Sequence, residues 1–264
     1  MKLSAPIHVL KTQAKKRKKE SGISSVQALN EIAMREGYNS WSLLKSKQSS
    51  IYPNSYNQLL DFFNNGDLIL IGARPGQGKT IFTLGLFVKA LQKTTVPNYI
   101  FTLCETPNDI IKRIRSYDKK ISPDDKNFIL NYSNDICADY IINLTNPSIK
   151  EGSIIVIDYL QLLDEKRINS PIQNQIESLK SYAKHKKCEI IFISQIKREI
   201  EYQNDQTPAL KDIRTPNPFD LKLINKIIFL HRKSKTSTEA KVIINALTPH
   251  TFTINYSIEK NIFY

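Results

Sequence analysis

Long apolar runs, paired cysteines and acidic residues are what this chain is short of, and each shortage excludes something. No apolar run approaches the ~20 residues needed to cross a bilayer, so no membrane span is expected. The three cysteines, Cys104, Cys137 and Cys188, are isolated and odd in number. They offer neither a disulfide framework nor a zinc-ligand spacing, which points to a reducing, cytoplasmic setting. A secretory signal is not expected either, because only a short apolar stretch precedes a dense lysine block. Acids number 25 against 38 Lys and Arg, leaving a net charge of +13. Such an excess favours a polyanionic partner. What is present suits a globular α/β protein with a small appendage: 264 residues, 41% hydrophobic and 24% charged. The four histidines are scattered, and His231 reads as the end of a strand rather than a metal ligand.

The charge is unevenly spread. Residues 1–50 carry ten Lys or Arg, Lys15, Lys16 and Arg17 among them, against only Glu20, Glu31 and Glu36. Three short helices are predicted there, near 5–19, 24–36 and 39–47. In the second, Val26, Leu29, Ile32 and Ala33 recur at helical spacing and Gly37 is a stop. Asn39 or Ser40 caps the third, which would bury Trp41 and Leu44. A Ser/Pro/Asn-rich linker at 51–57 then leads into a domain at 58–264. In that domain, strand-length apolar runs (67–72, 98–103, 127–132, 153–158, 189–193, 226–230) alternate with helical patterns (79–92, 107–117, 135–146, 172–187). The alternation predicts a mostly parallel sheet covered by helices on both faces. Two later runs, 240–247 and 251–257, predict an antiparallel edge hairpin.

Residues 72–80 read GARPGQGKT, between the first strand and the first helix of that domain. Strand, glycine-rich turn and helix in that order make a phosphate-binding loop, in which backbone N–H groups and the helix N-terminus receive the anion. The nucleotide cradle is therefore expected from Arg74, Gly76, Gln77, Gly78, Lys79, Thr80 and Ile81, with ATP and Mg²⁺ as cofactors. Lys79 would meet the β- and γ-phosphates and Thr80 the metal. The usual first glycine of the pattern falls on Ala73. Asp158 closes the buried run IIVID, at the strand end where α/β sheets bind ligands. It is the second expected metal ligand and, with Lys79, part of the catalytic set.

Three segments together, GDLILIGARPGQGKT, IIVIDYLQLLD and FISQIKREIE, resemble the motor domain of DnaB-type replicative helicases over roughly residues 58–257. The family's A-R-P-x-x-G-K-T loop matches here. Its D-Y-L-Q-L is matched by Asp158 to Leu162, and its S-Q-L-x-R by Ser194, Gln195, Ile196 and Arg198. The resemblance implies a RecA-like fold, ATP held between subunits of a homo-oligomeric ring, and single-stranded DNA on central loops. It also implies that Gln195 senses the γ-phosphate. Independently of the family, residues 196–217 are polar and carry Lys197, Arg198, Lys211 and Arg214. Cations on a long loop beside a nucleotide site suit contacts to a phosphate backbone.

The chain also departs from that pattern. Where the family has S-L-E-M, this chain reads Leu103-Cys104-Glu105, so Glu105, the expected catalytic base, falls one residue late. The family's K-x-R-x-G segment, which supplies an arginine to the neighbouring subunit, corresponds to Ile243–His250, which holds no Lys or Arg. Slow hydrolysis follows unless Arg232 or Lys235 substitutes. Residues 1–50 are expected to stand where the family has its helical collar. These departures support a competing reading, a nucleotide-gated binding module that hydrolyses slowly and unwinds nothing. A kinase reading lacks a lid or acceptor motif.

Overall fold

The computed structural model describes residues 4–5, 7–49, 52–164, 166, 169–215, 217–245 and 249–264. Three helices come first: α1 (Ile7–Ser21), α2 (Ser25–Arg35) and α3 (Trp41–Ser49). The starts of α2 and α3 have a chemical reason. Ser24 caps α2 in a reciprocal box with Gln27. Ser40 Oγ accepts from the Leu43 N–H at the start of α3. The helices close around Leu10, Ala14, Ala28, Ile32, Ala33, Trp41 and Leu44. The inward face of α2 is thus Ala28, Ile32 and Ala33, while Val26 is 67% exposed, contrary to the expected stripe. A helix only three turns long packed on one side buries a narrow arc, and Val26 lies outside it.

The expected linker is a packed strap. Tyr56 is buried and donates to the Phe82 carbonyl at 2.6 Å. Tyr52 stacks on His250, whose ring contacts the Pro53 carbonyl. A short helix, α4 (Leu59–Phe62), completes the entry.

The α/β alternation then runs β1 (Leu68–Ala73), α5 (Lys79–Lys93), β2 (Asn98–Thr102), α6 (Pro107–Tyr117), β3 (Phe128–Asn131), α7 (Ala138–Thr145), β4 (Ile154–Asp158), α8 (Ile172–Lys186), β5 (Glu189–Gln195), β6 (Lys226–His231), β7 (Glu239–Asn245), β8 (His250–Ser257) and β9 (Ile262–Phe263). The sheet order is β3-β2-β4-β5-β1-β6-β7-β8-β9. Pairing is parallel from β3 to β6 and antiparallel from β6 to β9. The tail hairpin is therefore as expected, with a short extra strand beyond it. The end of the 240–247 run, residues 246 and 247, lies outside the described residues, as does Pro216.

Alternation along the strands divides the core. Ile69, Ile71, Val156, Ile191 and Ile193 face one layer, with α5 and α6. Leu68, Leu70, Ile155, Ile157, Ile190 and Phe192 face the other, with α7 and α8. Both faces of β1, β2 and β4 are buried, which is why these strands read as unbroken apolar runs. No described helix is long and apolar enough to cross a membrane.

Candidate active site

Parallel register aligns the carboxyl ends of four strands in one row. Thr102 lies opposite Asp158, Asp158 opposite Ile193, and Gln195 opposite Ala73. Because β5 and β4 separate β1 from β2, the β1–α5–β2 crossover carries the start of α5 over the ends of β5 and β4. Thr80 thereby reaches a residue two strands away. Its Oγ1 donates to Asp158 Oδ2 at 3.0 Å.

The loop before α5 needs its glycines. Gly76 and Gly78 have φ of +75° and +89°, a region that side chains rarely tolerate. A Cβ on Gly78 would also press the Phe263 ring at 3.0 Å. The donor set fits a hard divalent cation: a threonine hydroxyl and a carboxylate oxygen already in contact. The glycine turn ahead of it fits a phosphate chain.

Asp158 is buried and its carboxyl is pushed up to about 6. Desolvation is the largest cause; the Thr80 hydrogen bond and Lys79 oppose it, Glu105 adds to it, and Arg113 opposes again. Glu105 is thus near enough to Asp158 to be felt. The backbone bends after Thr102 and carries Glu105 to the start of α6, where Arg113 Nε donates to its Oε2 at 2.6 Å. The Cys104 thiol instead approaches the Asp158 carbonyl at 3.6 Å. Arg113 had no signal in the sequence, since its role depends on the fold-back of α6.

Two expected cradle residues have other partners. Arg74 is buried and donates to Gln206 Oε1 at 2.5 Å and to the Arg232 carbonyl at 2.8 Å. The Gln77 side chain accepts from the Arg232 N–H at 2.6 Å. Both side chains brace the loop from behind, leaving its backbone for the ligand. Ile81 is buried, and its carbonyl accepts from Tyr117 Oη at 3.0 Å.

Of the two substitute cations, Arg232 is held within its own chain, whereas Lys235 is exposed. Arg232 is 2% exposed, donates to the Lys235 and Ser237 carbonyls, and lies 4.1 Å over the Tyr256 ring. Lys235 lays its side chain on Gly76 of its own chain. The corresponding stretch of the family's finger includes residues 246–248, outside the described residues.

The 196–214 loop is folded. Ile196 bridges Ile213, Lys197 N–H donates to the Asp212 carbonyl at 2.7 Å, and Ile200 is buried. Lys197, Arg198, Lys211 and Arg214 are all exposed. Arg214 reaches Gln195: its N–H donates to the Gln195 carbonyl at 3.0 Å and its Nη1 to Oε1 at 3.4 Å. Gln161 touches Ser194 and the Arg214 carbonyl. In the N-terminal helices Lys15 and Lys16 are exposed, whereas Arg17 is paired with Glu31 at 2.8 Å. His231 ends β6 as expected, and no metal-binding cluster of His, Cys, Asp or Glu occurs among the described residues.

Comparisons with known proteins bear on the fold and the family. The "Replicative DNA helicase DnaB" of Mycoplasma pneumoniae is 26% identical over 259 residues, covering 83% of this chain and 53% of that protein. A "Probable plasmid replicative DNA helicase" of Chlamydia psittaci is 25% identical over 254 residues, 84% of this chain and 54% of that protein. The chain thus spans about half the length of the curated relatives it matches. A solved DnaB-like replicative helicase, described with its interactions with primase, superposes with a TM-score of 0.64 at 19% identity, covering 97% of this chain and 75% of that one. A solved ATPase domain superposes at 0.63 and 22%, covering 84% and 95%. These likenesses establish the RecA-like fold. A family model described as the DnaB-like helicase C terminal domain matches residues 54–136 and 139–261, and the chain belongs to that family.

Proposed function

We propose that this chain binds Mg-ATP and couples its hydrolysis to single-stranded DNA, as a cytoplasmic, ring-forming ATPase of helicase type. The contact between Thr80 Oγ1 and Asp158 Oδ2, at the start of the helix that Lys79 opens, carries the reading. Two oxygens that meet across two strands beside a glycine turn have the arrangement a metal-bound triphosphate requires. Lys79 supplies a point charge to the phosphates, and Thr80 and Asp158 hold Mg²⁺, which neutralises charge on the phosphoryl oxygens when bound. Gln195 joins this site to the DNA side through Arg214. Lys197, Arg198, Lys211 and Arg214 then serve the DNA backbone, and Lys15 and Lys16 of a separate module, residues 1–50, add non-specific affinity.

A specific observation favours a second reading, slow hydrolysis in a nucleotide-gated binding module. Glu105 is engaged with Arg113, and Arg232, one of the two cations that could replace the missing arginine, is buried within its own chain.

ATP turnover measured with and without single-stranded DNA, alongside particle size with nucleotide, separates the two. Turnover that rises with DNA in an oligomer supports the first reading. DNA binding that requires nucleotide, with slow turnover indifferent to DNA, supports the second. Failure to bind nucleotide sinks both.

A further inference from the structure

Arg74 is an unusual residue to find buried. It is 6% exposed, its Nε has no hydrogen-bond partner, and among the described residues its guanidinium pairs with no carboxylate. Its two contacts are neutral oxygens, the Gln206 amide and the Arg232 carbonyl. A buried cation of this kind costs free energy unless an anion is near. The neighbourhood is itself short of negative charge. His231 sits next to it, half-buried, with Nδ1 unpartnered. Burial pushes the His231 ring down, Arg74 and then Lys241 push the same way, and only Asp205 opposes them.

The two contacts lie on different elements. Arg232 begins the β6–β7 turn and also donates to Gln77, so that contact stays within the wall of the phosphate loop. Gln206 belongs to the 196–214 loop, where its amide Nε2 donates to the Glu201 carbonyl at 3.0 Å. Its side chain therefore spans from the phosphate loop to the short 3-10 helix Arg198–Tyr202 that carries Arg198. Besides this tie, the loop is held at its neck by the Ile196–Ile213 bridge and the Lys197–Asp212 hydrogen bond, and by Ile200, which is buried in the core.

We infer that Arg74 is a positioning residue that ties the phosphate loop to the middle of the 196–214 loop through Gln206. A polyanion in the phosphate loop supplies the charge that Arg74 lacks and so tightens the tie; its departure slackens it. The anion thus interacts differently with the tied and untied arrangements, which any coupling between sites demands. This rests on the reading above for the identity of the anion, a nucleoside triphosphate. It is distinct from the Gln195–Arg214 contact, which holds the neck of the loop.

The test is backbone amide hydrogen exchange across 196–214 in the full chain, with and without Mg²⁺ and a non-hydrolysable ATP analogue. Nucleotide affinity is measured in the same samples with a fluorescent ATP analogue. In the unsubstituted protein, nucleotide is expected to slow exchange in the loop by about tenfold, the equivalent of one charge-assisted hydrogen bond. Gln206→Ala is expected to abolish that slowing and, because coupling is reciprocal, to weaken nucleotide binding by about the same factor without abolishing it. Gln206→Glu, which gives Arg74 a carboxylate, is expected to slow exchange before nucleotide is added. The inference is overturned if nucleotide binds and the loop does not respond, or if Gln206→Ala responds like the unsubstituted protein. A chain that binds no nucleotide at all overturns the function reading as well, and the affinity arm reports that outcome separately.

Discussion

Two buried carboxylates stand at opposite ends of the same sheet. Asp158 closes β4 at the carboxyl edge, and Glu189 opens β5 at the amino edge. Burial is the main cause of both shifts, pushing Asp158 to about 6 and Glu189 to about 7. By that measure they are alike. Their surroundings differ. Beside Glu189 the cation Lys226 is already engaged by a second carboxylate, Asp67. Asp67 pairs with Lys226 and accepts from Asn64 N–H at 2.9 Å, and Lys226 also lies 4.9 Å over the Phe62 ring. Around Asp158 the partners are Thr80, Lys79 and the N-terminus of α5, with a glycine turn ahead of them. A displaced carboxyl therefore marks a ligand site only where the surrounding groups still suit a ligand.

The sharpest way to break this comparison is to remove the lysine at each end. Lys79→Ala is expected to lower ATP turnover by about 10²–10³-fold, the usual loss of a preorganised transition-state charge. Its melting temperature without nucleotide should stay unchanged. Lys226→Met should do the reverse, leaving Asp67 buried without its cation at a cost of about 3–5 kcal/mol. Each kcal/mol lowers Tm by roughly 2–4 °C in a chain of this size. Turnover per folded molecule should hold. ATPase assays and thermal melts on both variants decide it, and a Lys226→Met protein that is stable but inactive would erase the distinction.

A smaller effect is expected within the carboxyl edge. Glu105 is felt by Asp158 yet engaged by Arg113. If it orients the attacking water, Glu105→Gln lowers turnover by about 10²-fold, the lower range for a general base. Nucleotide affinity should not follow. Unchanged turnover in that variant would remove Glu105 from the catalytic set and favour the slow-hydrolysis reading.

These residues also show what the sequence made legible. The strand–loop–helix order around Gly76 and the run IIVID give away Lys79, Thr80 and Asp158, because local backbone chemistry dictates where such groups stand. Apolar periodicity likewise gives the parallel strands and the edge hairpin. Arg74 and Gln77 lie in the same motif, but their side chains turn toward Arg232 and Gln206, more than a hundred residues further along. No local pattern encodes that. Tyr56 sits in a stretch with linker composition, yet one buried ring with a carbonyl for its hydroxyl is enough to dock it. Val26 lies outside the buried arc of α2 because a hydrophobic period does not state how wide an arc its partners cover.

The smallest expected effect separates the two carboxylates by pH. The folded protein holds a proton on Glu189 up to about 7, while an unfolded chain releases it near the ordinary 4.5. Stability from this group is therefore complete below that ordinary value and is lost as pH rises through about 7. Glu189→Gln carries no charge at any pH. It should match the unsubstituted protein in melts near pH 4.5 and exceed it by a few degrees near pH 8. Asp158 contributes with the same sign, lost as pH rises through about 6, so part of the pH dependence should survive in Glu189→Gln. Adding Mg²⁺ and nucleotide should then remove the surviving part, because a bound cation favours the Asp158 carboxylate at every pH of the series. The same addition should leave the Glu189 contribution in place in the unsubstituted protein, since Glu189 lies at the other end of the strands. Melts in which nucleotide flattened both contributions equally would mean that the two ends of the sheet are not independent.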